Sequence, residues 1–124
     1  MTKRILIIDD EPNIVISLEF LMTREGHEVR VAGDGEAGLA EARRCRPDLI
    51  VLDVMMPKLD GFAVLEALRA DPDLAATPVL MLTAKGREAE RRKGLELGAE
   101  AYMPKPFSTR DLVRKIAELL ARDA

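Results

Sequence analysis

Short apolar runs alternate along the chain with longer stretches in which apolar residues recur at helical spacing. Three runs are almost continuously hydrophobic, at residues 5–8, 49–52 and 79–82. Strands that are buried on both faces of a parallel sheet have this pattern. A shorter run at 28–32 predicts another strand, and residues 101–103 give a weaker fifth one.

The stretches between these runs predict five helices. The first begins near Pro12, which suits an opening turn, and stops before Gly26. The second and third cover 37–45 and 62–70, and the last follows Ser108 as its N-cap. The fourth, 87–97, is mostly charged, so we expect it to dock weakly. Five strand–helix units predict a doubly wound α/β fold with right-handed crossovers.

Polar side chains stand where the predicted strands end. In a doubly wound sheet, ligands bind beyond the carboxyl ends of the strands, where the strand order reverses. Asp9 and Asp10 follow the first strand and Asp53 ends the third. Thr83 ends the fourth strand, and Lys105 follows the fifth. We therefore expect these five side chains at one edge of the sheet.

Each of these residues also has an ordinary structural explanation. Asp10 could cap the first helix, and Asp53 could be a turn residue. Thr83 could simply end a β-branched strand, and Lys105 could be a solvated surface charge. Three acids brought together, however, repel one another and oppose folding. A ligand site explains the cluster better than three separate structural roles.

The residue types at this edge indicate phosphoryl chemistry supported by a divalent cation. Clustered carboxylates, with a backbone carbonyl and waters, suit Mg²⁺, or Mn²⁺ in its place. A phosphate would be repelled by the acids alone and must arrive together with the metal. Lys105 can then neutralise phosphoryl oxygens and Thr83 can donate a hydrogen bond. Asp53 remains as the nucleophile.

Composition narrows the class of protein further. With 124 residues, the chain is predicted to form one domain, 1–124, without an output domain. A net charge of −3 gives no basic field for direct nucleic-acid contact. The first apolar run is too short for a signal peptide or a membrane span, which predicts a cytoplasmic protein with no membrane partner.

The polar residues and their neighbours form a set of short motifs in fixed order. The motifs are Ile8-Asp9-Asp10-Glu11, Asp48 to Asp53, Met56 to Gly61, Leu82-Thr83-Ala84, Leu97-Gly98-Ala99, Tyr102 and Lys105-Pro106-Phe107. Together they resemble the receiver domain of two-component response regulators, in particular the chemotaxis-regulator-like members, along the whole chain. The resemblance implies a flavodoxin-like (βα)5 fold with strand order 2-1-3-4-5.

The resemblance also implies roles for the site residues. A sensor histidine kinase or phosphotransfer protein would phosphorylate Asp53. Asp9 and Asp10 would hold Mg²⁺ with Asp53 and the backbone carbonyl of Met55. The chain would then be a phosphoacceptor switch in signal transduction, and not an enzyme acting on a separate substrate.

The same resemblance implies how the signal leaves the site. Thr83 would swing toward the phosphoryl group, Lys105 would contact it, and Tyr102 would move inward. The surface of the fourth helix, fifth strand and fifth helix would change and regulate an effector protein or an output domain. A cis bond between Lys105 and Pro106 is also implied.

Three positions depart from the family pattern. Met55 and Lys85 offer no carboxylate or amide to orient water, which predicts a long-lived phosphoryl-Asp53. Ala101 stands where winged-helix regulators carry a second acid. A phosphorylation-dependent homodimer through the same surface is expected to use other charges, namely Lys93, Glu96, Glu100, Asp111 and Arg114.

Two other functions share parts of this site. A phosphatase that works through an aspartyl-phosphate would need an acid at Met55. A flavin carrier would need amides and hydroxyls where Asp9 and Asp10 stand. Residues 122–124 favour a stand-alone regulator, although a receiver cut from a transcription factor, cyclase or hybrid kinase stays open.

Overall fold

The computed structural model describes residues 2–56, 59–84 and 88–121. Strands and helices alternate strictly along these ranges, as the hydrophobic pattern predicts. The strands are β1 (Arg4–Ile8), β2 (Glu28–Ala32), β3 (Leu49–Asp53), β4 (Val79–Ala84) and β5 (Ala101–Lys105). The helices are α1 (Pro12–Arg24), α2 (Gly35–Cys45), α3 (Gly61–Ala70), α4 (Glu88–Glu96) and α5 (Thr109–Ala121).

The five strands form one parallel sheet in the order β2-β1-β3-β4-β5. This confirms the expected doubly wound, flavodoxin-like fold. The strand order reverses between β1 and β3, which are neighbours in the sheet. In register, Asp53 lies opposite Leu82, and Thr83 lies opposite Pro104. The carboxyl ends of β1, β3, β4 and β5 therefore meet at one edge.

Alternate residues of the central strands face two separate apolar clusters. In β1, Leu6 and Ile8 join the cluster covered by α2 and α3, whereas Ile5 and Ile7 join the one covered by α1 and α5. The central strands are buried on both faces, which explains why their sequences lack polar alternation. Burial on both faces holds the strand ends in fixed positions.

The helix boundaries differ from the sequence prediction where an acid caps the helix. Asp34 accepts a hydrogen bond from Ala37 N at 2.8 Å, and Asp60 accepts one from Ala63 N at 2.9 Å. These carboxylates satisfy amides of the first turn, so both helices begin earlier than expected. α2 begins at Gly35, two residues early, and α3 begins at Gly61, one residue early.

The last strand is also longer than the apolar pattern predicts. β5 reaches Lys105, since its pairing with β4 continues as far as the contact of Ala84 with Lys105. Several predictions fall on residues outside the described ranges: Pro57 and Lys58 of one motif, Lys85, the start of the fourth helix at Arg87, and the terminus at 122–124. Within those ranges, no helix is long and apolar enough to cross a membrane.

Candidate functional site

Three carboxylates converge where the strand order reverses. Asp9 follows β1, Asp53 ends the adjacent β3, and Asp10 lies beside them at the surface. One oxygen from each carboxylate lies within 4.8 Å of the others. Asp9 and Asp53 are buried, with 1% and 2% of their surface exposed. The structure thus brings together the acids that the sequence placed at separate strand ends.

The buried carboxylates are only partly satisfied by the protein. Asp9 Oδ1 accepts a hydrogen bond from Glu11 N at 2.9 Å, and Asp53 Oδ1 accepts one from Met55 N at 3.3 Å. Asp53 Oδ2 is buried and accepts no hydrogen bond from any described residue. A buried oxygen of this kind costs free energy unless a ligand binds to it.

Among the residues that the structure describes, Lys105 supplies the ammonium that faces this acid cluster. Its Nζ lies 2.8 Å from Glu11 Oε1, 3.1 Å from Asp9 Oδ2 and 3.3 Å from Asp53 Oδ1. The Lys105–Pro106 bond is cis, as the resemblance implies. Burial alone would lower the pKa of Lys105, but its pairing with Glu11, Asp53 and Asp9 outweighs burial and raises the pKa.

One lysine does not balance the charge of the cluster. Burial, and after it the charge of Asp9, raises the pKa of Asp53 to about 7, although Lys105 acts in the opposite direction. A carboxylate that is hard to ionise beside two further acids indicates a shortage of positive charge. The donor set consists of hard oxygens, which fits a divalent cation such as Mg²⁺.

The start of α3 fixes the position of Asp53. Gly61 N donates a hydrogen bond to Val54 O at 2.9 Å. A Cβ at Gly61 would lie only 2.4 Å from the backbone oxygen of Asp53. Only glycine allows the helix to approach the end of β3 this closely, so Gly61 helps to determine where Asp53 lies.

A cleft of about 450 Å³ opens at Asp53 and is also lined by Glu11, Met55, Ala84 and Lys105. The Met55 side chain is 63% exposed. It lines the cleft and offers no polar side-chain group there. The cleft is large enough to admit a phosphoryl donor from solvent.

Thr83 lies at the same edge but not in the arrangement that its expected role requires. It is buried, with 1% of its surface exposed, and its hydroxyl donates a hydrogen bond to Glu90 Oε1 on α4. Tyr102, on β5, is half-buried and packs against the apolar cluster on the α3 side. The hydroxyl that is expected to reach the phosphoryl group is therefore bound to another acid.

Sequence reasoning missed the contributions of Glu90 and Glu11. Glu90 stands in a charged helix, a composition typical of a solvated face, and no periodicity distinguishes it from Glu88. Glu11 belongs to a motif, yet its ion pair with Lys105 joins residues 94 positions apart. Neither contact can be read from the sequence, because each depends on which elements lie side by side in the folded chain.

Residues 5–117 match the profile of the response regulator receiver domain. The chain belongs to this family. It is 48% identical over 122 residues to the alkaline phosphatase synthesis transcriptional regulatory protein PhoP of Bacillus subtilis, covering 98% of this chain and 50% of PhoP. The chain spans about half the length of the curated relatives it matches.

Solved structures agree with this assignment. A putative response regulator from Chloroflexus aurantiacus superimposes with a TM-score of 0.94 at 35% identity, covering 98% of this chain and 99% of that one. The receiver domain of sensor histidine kinase PA1611 from Pseudomonas aeruginosa, solved with a magnesium ion coordinated in its active site cleft, gives 0.89 at 28% identity, covering 98% and 99%. The family match favours a receiver over the phosphatase and the flavin carrier.

Proposed function

We propose that this receiver domain accepts a phosphoryl group on Asp53. The observation that carries the proposal is the buried Oδ2 of Asp53, which lies beside the cleft where strand order reverses and has no hydrogen-bond partner in the described part of the chain. Receivers as a family are regulatory phosphoacceptors, and we infer that this chain promotes its own phosphorylation without acting on a separate substrate. Lys105 and the acid cluster supply the charges that phosphoryl transfer requires.

The donor set supports a divalent cation at the acid cluster. Asp9, Asp10 and Asp53 would hold Mg²⁺, or Mn²⁺, and we place the backbone carbonyl of Met55 as a further ligand. The bound cation would neutralise charge on the carboxylates and on the phosphoryl oxygens. The raised pKa of Asp53 fits this assignment, because a cation would lower that pKa and keep the nucleophile ionised.

In the proposed reaction, a carboxylate oxygen of Asp53 attacks phosphorus as the bond from phosphorus to the donor breaks. With a phosphohistidine donor, the imidazole leaves and is neutral after it takes up a proton. Lys105, already 3.3 Å from Asp53, would turn from Glu11 toward the phosphoryl oxygens. Holding donor, nucleophile and ammonium in one cleft is the main contribution of the protein.

The proposed partners follow from this chemistry. A sensor histidine kinase or phosphotransfer protein would supply the phosphoryl group, which places the domain in the cytoplasm, where ATP feeds the kinase. The relative PhoP is a transcriptional regulatory protein, so we infer that the effector or output domain controls transcription. The receiver itself is proposed to act without touching nucleic acid.

The α4–β5–α5 surface is the proposed output face, through movement of Thr83 and Tyr102. A phosphorylation-dependent homodimer there would have to use charges that are already engaged. Glu100 Oε1 lies 2.7 Å from Arg69 Nη2 and accepts a hydrogen bond from Val79 N. Asp111 lies 3.8 Å from Arg114 of its own helix. We therefore expect weak dimerisation, measurable by light scattering with and without phosphorylation.

The test of the proposed function is intact-mass measurement after incubation with Mg²⁺ and acetyl phosphate. We expect a gain of one phosphoryl group that EDTA abolishes and that Asp53→Asn lacks. Asp48→Asn is the matched control, since Asp48 is also an acid beside β3 but lies at its opposite end. A wild-type protein that is folded by circular dichroism yet gains no mass would overturn the assignment of Asp53.

A further inference from the structure

The hydroxyl of Thr83 is held by a carboxylate that belongs to the neighbouring helix. Thr83 lies near the end of β4, and Glu90 lies in the first turn of α4. The Thr83 hydroxyl donates to Glu90 Oε1, an acceptor on α4 that is not one of the acids of the phosphorylation site. We propose that Glu90 is a latch that holds Thr83 and α4 in the unphosphorylated arrangement; this rests on the proposed phosphorylation of Asp53.

The latch follows from the hydrogen-bonding capacity of a threonine. A hydroxyl has one proton to donate, so Thr83 can donate to Glu90 or to a phosphoryl oxygen on Asp53, but not to both. A hydrogen bond to an ionised carboxylate is roughly twice as strong as one between neutral groups. Thr83 is almost fully buried, which keeps water from replacing Glu90 as its acceptor. Phosphorylation must therefore compete with Glu90 for this proton.

Glu90 also connects the site to the output surface. In the same turn, Glu88 and Arg91 pair with each other at 2.9 Å and stay exposed, whereas Glu90 reaches the end of β4. Further along α4, the buried Gly94 lies against Met81. When Thr83 leaves Glu90, the first half of α4 loses this tie to the sheet. Donation of the Thr83 hydroxyl to the phosphoryl group would therefore also loosen the first half of α4.

Removing the latch should raise the affinity for a phosphoryl mimic, because more of the protein is then ready to bind it. The probe is beryllofluoride with Mg²⁺, titrated into Glu90→Ala and wild-type protein and followed by amide chemical shifts. We expect about tenfold tighter binding by Glu90→Ala, as loss of a hydrogen bond to a charged group predicts. Glu90→Gln keeps a neutral acceptor of the same shape and should lie between the two.

Two controls separate the latch from a general effect of charge. Glu88→Ala removes the same charge from the same turn and should bind beryllofluoride with wild-type affinity. In a Thr83→Ala background, Glu90→Ala should give no gain, since the donor is absent. The amide shifts of α4 in free Glu90→Ala should also move part of the way toward those of the beryllofluoride complex.

The outcomes distinguish the latch from the proposed function. If wild-type protein binds beryllofluoride only with Mg²⁺ and intact Asp53, but Glu90→Ala and Glu90→Gln bind with unchanged affinity, the latch is wrong and the phosphoacceptor assignment stands. An equal gain in the Thr83→Ala background, or in Glu88→Ala, would also overturn the latch. Absence of binding by folded wild-type protein would overturn the proposed function itself.

Discussion

Helices α3 and α4 each follow a strand that delivers a residue to the site, yet they are held very differently. α3 follows Asp53 and buries Phe62, Val64, Leu65 and Leu68 in the apolar cluster. α4 follows Thr83, and among its described residues only Gly94 is buried. The half of the site that carries the proposed phosphoacceptor is therefore fixed, whereas the half that is proposed to transmit the signal is lightly held.

The difference lies in what each helix presents to the elements that it packs against. The apolar residues of α3 have the spacing of a core-facing helix, and its first residue presses on the backbone of Asp53. α4 presents a glycine, the ammonium of Lys93 at 4.6 Å from the ring centroid of Phe62, and the carboxylate of Glu90. A helix held by a few polar contacts can be released by changing one of them.

The contrast in burial predicts the largest effect on stability. Leu65 of α3 is completely buried and Leu95 of α4 is 38% exposed. We expect Leu65→Ala to lower the free energy of unfolding by about 3 kcal/mol, because it leaves a cavity, and Leu95→Ala by less than about 1 kcal/mol. Urea unfolding measures both. Equal losses would mean that α4 is docked as firmly as α3.

A pair of glycines sharpens the same comparison. A Cβ at Gly61 would meet backbone atoms of Asp53 and Val54, at 2.4 and 2.8 Å, whereas at Gly94 it would meet the Met81 thioether at 2.9 Å. Backbone cannot move aside, but a methionine side chain can. We expect Gly61→Ala to cost about 2 kcal/mol and to slow phosphorylation, and Gly94→Ala to change stability by less than about 1 kcal/mol. Thermal unfolding measures the two stability changes, and intact mass measures the rate of phosphorylation. A larger loss of stability in Gly94→Ala than in Gly61→Ala would contradict this contrast between the two helices.

Asp53, on the fixed side of the site, should make the free energy of unfolding depend on pH. The pKa of Asp53 is about 7 in the fold and about 4 in an unfolded chain. A carboxyl with a raised folded pKa contributes stability that is present below pH 4 and is lost as pH rises through 7. Without metal, Asp53→Asn should therefore be more stable than wild type at pH 8, by about 1–2 kcal/mol given the open cleft, and similar to it near pH 4.

Denaturant unfolding in EDTA at the two pH values measures this difference. Mg²⁺ should reduce it, because the cation favours ionised Asp53 in the wild type. An Asp53→Asn protein that is equally stabilised at both pH values would show that relief of the carboxylate charge is not the cause.

The open rim of the cleft predicts the smallest effect, on the lifetime of phosphoryl-Asp53. Met55 is exposed beside Asp53 and cannot orient an attacking water. We expect Met55→Asn to shorten the lifetime roughly two- to fivefold, well below the ~100-fold of a positioned base, and Met55→Leu to leave it unchanged. Decay of the phosphorylated mass in Mg²⁺ buffer measures it. Equal decay in all three proteins would mean that Met55 does not limit hydrolysis.

The hydrophobic pattern alone predicted the five strand–helix units and the weak docking of α4. These features are local. A continuously apolar run such as residues 49–52 is typical of a strand buried on both faces, and a mostly charged helix buries too little apolar surface to dock firmly. The convergence of Asp9, Asp10, Asp53 and Lys105 was predictable too, because parallel strands bring their carboxyl ends together. Helix starts were less predictable, since caps such as Asp34 act outside the apolar stripe.

Only the tertiary structure decided how the charges at that edge are shared. The pairing of Lys105 with Glu11, the burial of Asp53 and the hydrogen bond of Thr83 to Glu90 depend on distances set by the whole sheet. Sequence records which groups carry charge, but Coulomb energies and hydrogen bonds change over a few ångströms. The sequence therefore determined the fold and the composition of the site, whereas the folded chain decided which acceptor binds the hydroxyl of Thr83.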